Sequence, residues 1–181
     1  MKGSAAGVLR EILSESAIVK PLMRKEGSSV SLFCGERHII VLGVPENSIA
    51  INMPVASPVI GHMLNQEKRA RARGYYVIVG AEDGQDFIAY IEANDASLQR
   101  ADTEKRLRGA VCVMDYCAAI AREFYGADGL LDGYKRHFVK IKAHGRTTRR
   151  FNFRSRIAEN DSPENLRVLE GSQIPFRYIV A

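Results

Sequence analysis

The sequence predicts an α+β fold: a helix, a three-strand antiparallel meander, a second helix, a two-strand hairpin and a long helix, followed by a basic β-ribbon and a C-terminal strand. Three observations carry this. Apolar residues recur at helical spacing near residues 5–17 and 102–125. Short segments between them alternate apolar and polar residues with period two. Turn-forming residues separate nearly all of these runs.

In the first helix Ala5, Val8, Leu9, Ile12 and Leu13 share one face and Ser4 is placed to cap it. The meander follows. Ser29–Cys34 alternates with Val30 and Leu32 on one side, Gly35-Glu36 has the composition of a two-residue hairpin turn, and Arg37–Val44 is a dense apolar strand. Pro45-Glu46-Asn47 then turns the chain into Ser48–Met53, with Ile49, Ile51 and Met53 pointing inward. Ser57-Pro58 is an N-cap followed by Pro at N1, so a helix is expected from there to Gly74, with Ile60, Met63 and Leu64 inward. Tyr75–Ala81 and Asp86–Ala93 form a hairpin around Glu82-Asp83-Gly84-Gln85. The long helix carries Leu107, Ala110, Val111, Met114, Cys117, Ala118, Ala121 and Tyr125 as a wide apolar stripe, and Gly126 ends it. Ile174–Ala181 is expected to close the chain as a docked strand.

A chain of 181 residues, 46% hydrophobic and 26% charged, is long enough to bury a core and has the composition of a globular protein. The longest apolar run, Ile39–Val44, falls far short of the roughly 20 residues of a membrane helix. No signal-peptide core follows Met1. Cys34, Cys112 and Cys117 are an odd set without C-x-x-C spacing, as expected of reduced thiols. The expectation is a cytoplasmic protein that does not enter a membrane.

The formal net charge of +5 hides an uneven distribution. Residues 1–132 hold 15 Lys+Arg against 17 Asp+Glu, whereas residues 133–158 hold nine Lys+Arg and no acid. This basic segment has a two-faced pattern. His137, Val139, Ile141 and Ala143 share one face of the first arm, and Phe151 and Phe153 share one face of the second. Both apolar faces coincide only if the connecting loop has an odd number of residues, most simply His144-Gly145-Arg146. Lys140 would then face Arg150 and Arg136 would face Arg154. Like charges opposed across a ladder are unfavourable, so an anionic neighbour is expected, whether nucleic acid or carboxylate. The candidate anion-binding residues are Arg136, Lys140, Lys142, Arg150, Arg154 and Arg156. Two units follow from this division: an α+β domain over 1–132, and a basic ribbon extension over 133–181 packed on it.

No residue set names a reaction, metal or cofactor. Cys34 and His38 flank a turn without a third orienting group. Asp128 and Asp132 have calcium-loop spacing, but Leu130 and Val139 occupy positions where ligands are needed. Asp83, Asp86 and Glu92 suggest a metal-dependent nuclease, yet no Glu-x-Lys follows.

The element order through residue 126 resembles the type III secretion chaperone-like fold, shared by secretion chaperones and YbjN-type putative sensory-transduction regulators. The resemblance rests on Met63-Leu64-Asn65, on Tyr75-Tyr76-Val77-Ile78-Val79 with Glu82-Asp83-Gly84 and Phe87-Ile88-Ala89-Tyr90, and on Thr103-Glu104-Lys105 opening the last helix. It implies a homodimer that binds a protein partner without catalysis and without a cofactor. The alternative expectation is a nucleic-acid-binding protein using the basic segment.

Overall fold

A computed structural model of the chain describes residues 4–24, 27–34, 37–56, 75–94, 99–142 and 159–181. The expected helix over 57–74 and the second arm of the basic ribbon, with Arg150, Arg154 and Arg156, lie outside the described residues.

The first helix, α1 (Ala5–Ile12), is capped by Ser4, whose hydroxyl accepts from the Gly7 amide at 3.2 Å. It is shorter than its apolar spacing suggests. Leu13 and Ser14 are extended, and Glu15–Ala17 form a separate 3-10 turn. Four short strands follow, β1 (Ile18–Val19), β2 (Leu22–Arg24), β3 (Gly27–Cys34) and β4 (Arg37–Leu42). After β5 (Ile49–Asn52) and the single turn α2 (Met53–Ala56) come β6 (Tyr76–Glu82) and β7 (Gln85–Asn94). Their hairpin turns at Asp83 and Gly84, both with positive φ, the geometry an Asp-Gly pair favours. The long helix α3 (Arg100–Tyr125) ends on Gly126 in the left-handed conformation. The chain closes with β8 (Lys135–Lys142), a 3-10 turn at Pro163–Asn165, β9 (Arg167–Glu170), β10 (Gln173–Pro175) and the helical turn α4 (Arg177–Val180).

Among the described residues ten strands form two sheets, a six-stranded one in the order β1-β5-β6-β7-β8-β9 and a four-stranded one in the order β10-β4-β3-β2. The fold is α+β, in three layers. Helices α1 and α3 cover one face of the larger sheet, packing Leu9, Leu107, Met114 and Ala121 onto Ile51, Val77, Val79, Tyr90 and Phe138. The smaller sheet covers the other face, where Val30, Leu32, Ile39 and Val41 meet Tyr76, Ile78, Ala89, Val139 and Ile141. Alternation along each central strand therefore fills two cores at once.

Three expectations are corrected. The meander is broken after β4: β5 leaves β3 and β4 and pairs between β1 and β6. Ile49, Ala50 and Ile51 are all buried, which requires covered faces on both sides. Second, β8 is not the arm of a ribbon but an interior strand, parallel to β7 on one edge and to β9 on the other. Residues on both sides of position 133 thus belong to one sheet, and Lys140 lies between Glu92 and Val168 in register, not opposite Arg150. The crossover from β7 to β8 through α3 is what makes this pair parallel. Third, the C-terminal segment is strand only through Pro175. Beyond it, Ile179 and Val180 donate to the Phe176 carbonyl, and this helical turn places Phe176 and Ile179 in the same core. An extended strand would have sent residues three apart to opposite faces.

The stripe of α3 is otherwise as its spacing predicts, with Leu107, Ala110, Met114, Cys117 and Ala121 buried. Tyr125, the last residue of the helix, is exposed, and Thr103 and Val113 join the buried set. Burial pushes the Cys117 thiol up to about 11, as befits a core residue.

Candidate partner-binding face

Arg136, Lys140 and Lys142 alternate along β8 and share its helix-covered side with Phe138. Each has a carboxylate neighbour within the chain. Arg136 is 4.0 Å from Asp115 of α3, and Lys142 is 3.4 Å from Glu170 of β9. Lys140 is buried and paired in register with the fully buried Glu92. Arg106 of α3 reaches Glu92 at 3.3 Å and lies over the Tyr75 ring. Burial, with the charge of Lys142, holds the Lys140 ammonium below its usual range, and Glu92 opposes that shift. An anionic neighbour was expected for these cations, and Asp115, Glu92 and Glu170 have that role. Sequence reasoning did not assign Glu92 to it. Its signal is parity with Ile88 and Tyr90, which turns it toward α3.

A second buried polar group ties the end of the chain down. The Asn160 amide donates to the Ile179 carbonyl at 3.1 Å, its backbone carbonyl accepts from Phe138, and its side-chain oxygen lies 3.1 Å from His137 Nδ1. Arg167 donates to the carbonyl oxygens of Tyr178 and Ala181. Burial keeps the His137 imidazole below its ordinary value of 6.5, assisted by the charges of Lys135 and Arg167 and opposed by the bond to Asn160. A histidine with a depressed folded pKa contributes stability that is complete above the unfolded value and lost as pH falls through the folded one. Urea unfolding at a series of pH values below 6.5 is therefore expected to show falling stability. The fall should be smaller in His137→Gln, and an identical profile in both proteins would assign it to other groups.

The chemical candidates do not assemble. Asp83 lies in the β6–β7 turn and Asp86 beside it, whereas Glu92 is near the other end of β7. Asp128–Asp132 belongs to turns around Gly129 and Gly133, both with positive φ. Among the described residues no group of three or more His, Cys, Asp or Glu could hold a metal ion. None of the described helices is long and apolar enough to cross a membrane.

The outer face of the four-stranded sheet has a different character. Its inward residues Val30, Leu32, Ile39, Val41 and Ile174 are core, so the register turns Leu22, Ser29, Ser31, Phe33, His38, Ile40, Leu42, Gln173 and Pro175 outward. Phe33 is 61% exposed and Leu22 47%. None of these nine residues is charged, and Arg24, paired with Gly27 at the end of β2, is among the described residues the one charged position in the same register. The backbone of Phe33 is held from the neighbouring sheet: the Tyr76 hydroxyl accepts from its amide at 2.7 Å and donates to its carbonyl at 2.9 Å. Both groups need such a partner, because in a two-residue hairpin the pair next to the closing pair points its polar groups away from the partner strand. The short strand β2 ends before reaching Phe33.

One end of this face runs into a half-open cleft of about 400 Å³, lined by Ser28, Ser29, Leu42, Pro175 and Phe176, with Glu82 and Arg177 beside them. Burial, reinforced by Asp83, raises the Glu82 pKa above its usual range. The edge strand β2, with Met23 69% exposed, borders the same face. Together these features offer strand backbone left unpaired among the described residues, apolar surface and two opposite charges to an extended peptide. No protein-family model, curated protein or solved structure matches the chain.

Proposed function

We propose that this protein is a non-enzymatic protein-binding or regulatory module of the secretion-chaperone-like type, acting as a homodimer. The observation that carries the binding reading is the outer face of the four-stranded sheet, where Phe33 and Leu22 are exposed and Arg24, at the end of β2, is among the described residues the one charged position in register with them. Exposed aromatic and aliphatic side chains beside an open strand edge suit an apolar, extended segment of a partner. The pairing of Arg136, Lys140 and Lys142 with carboxylates favours this reading over nucleic-acid binding. The sequence resemblance to chaperone-like proteins over Tyr75–Val79, Glu82–Gly84 and Phe87–Tyr90 points the same way.

The test is affinity capture from the native host with and without nuclease, comparing the wild type with Phe33→Asp. The expected result is a protein partner that survives nuclease and is lost with the variant. Capture that disappears on nuclease treatment would favour the basic segment instead. Labelled RNA would then bind with affinity falling steeply as salt rises, and alanine at Arg150 and Arg154 would weaken it.

A further inference from the structure

Helix α3 has a second periodicity that its packing onto the sheet does not use. Opposite the buried stripe, Lys105, Gly109, Cys112, Tyr116, Ala119 and Glu123 follow one another at spacings of four, three, four, three and four, a seven-residue repeat facing away from the body. Tyr116 is 56% exposed, and Lys105, Cys112 and Glu123 are exposed as well. The neighbouring charges are already engaged within the chain: Arg106 with Glu92, Arg108 with Glu164 and Asp115 with Arg136. Lys105 makes no ion pair among the described residues, and Glu123 pairs only with the adjacent Arg122 on the surface, a contact worth little.

This pattern is self-complementary in one arrangement. When two such helices run antiparallel about a twofold axis between Cys112 and Tyr116, Lys105 of each copy meets Glu123 of the other. Gly109 then meets Ala119, and Cys112 meets Tyr116. Every contact occurs twice, as an isologous interface requires. Small residues opposite one another let the helix axes approach to about 8 Å. The tyrosine ring covers the cysteine sulfur, and opposite charges close both ends. A parallel pair would instead set Lys105 against Lys105 and Glu123 against Glu123.

We propose that the outward face of α3 is the contact surface between two copies of this chain, paired antiparallel with Lys105 of each on Glu123 of the other. The proposal rests on the dimeric reading above and names its surface. Sedimentation equilibrium across a range of concentrations tests it. The wild type is expected to dimerise. Glu123→Lys or Lys105→Glu alone should weaken dimerisation about tenfold, since each exposed pair is modest but occurs twice and becomes a repulsion. The double swap Lys105→Glu/Glu123→Lys should restore it. A wild type that stays monomeric at every concentration overturns the dimeric reading and this surface together. A dimer that neither single reversal weakens, or that the double swap fails to restore, overturns only the assignment to α3.

Discussion

Replacing Glu92 by alanine is expected to destabilise the protein by about 3–5 kcal/mol, the cost of removing one partner from a buried charge pair. The carboxylate is fully buried on β7, with Lys140 beside it on β8 and Arg106 reaching it from α3. Without it, Lys140 keeps a buried ammonium and loses the group that holds its pKa up. The sign of the pH dependence follows. Lys140 titrates lower in the folded than in the unfolded chain, so the unfolded state binds more protons and stability rises with pH between the two values. That rise should begin at lower pH in Glu92→Ala than in the wild type. Urea unfolding at neutral and alkaline pH measures both effects. Replacing Glu92 and Lys140 together by leucine should recover most of the loss, because a well-packed apolar pair avoids the desolvation of both charges. A single variant as stable as the wild type would mean that Glu92 is not the counter-charge of Lys140.

Arg167→Met is expected to cost about 1.5–3 kcal/mol, the range for losing hydrogen bonds made by a charged group. Arg167 is itself buried, and its guanidinium holds two carbonyl oxygens of the last four residues. Those residues include Ile179, which with Phe176 closes the core between the two sheets. The loss should therefore be local before it is global. Amide exchange is expected to accelerate first at Ile179 and Val180, whose amides bond to the Phe176 carbonyl. Uniform acceleration across the larger sheet, with no preference for these amides, would contradict the clasp.

The legible parts of this fold are those encoded by neighbours in sequence. Ser4 before the first helix, Gly35-Glu36 and Asp83-Gly84 between strand pairs, and Gly126 after the long helix all mark elements that form where expected. What was not legible depends on distant partners. Ile49–Asn52 has the alternation of a third meander strand, and nothing local says that it pairs with β6 and β1 instead. Lys140 looks like a solvated residue until Glu92, 48 positions earlier, is placed beside it. The same pattern of charges thus serves a ribbon or an interior strand, and only the parallel crossover distinguishes them. The partner-binding face was half legible. Setting Val30 and Leu32 on one side of β3 places Phe33 on the other, but its exposure depends on what covers that sheet.

The pairing of β10 with β4 joins positions about 130 residues apart, and this has a consequence for the order of events during synthesis. The β3–β4 hairpin emerges from the ribosome early, with Val30, Leu32, Ile39 and Val41 as an oily underside. Strands β5 to β9 of the larger sheet follow one by one, and Ile174, Phe176 and Ile179 complete the cover only after all of them have been made. A nascent chain stalled just before residue 173 would hold the larger sheet's ladders and still display a sticky seam along β4. Such a chain should draw holdase chaperones and aggregate on release, whereas one that includes residues 173–180 buries that seam.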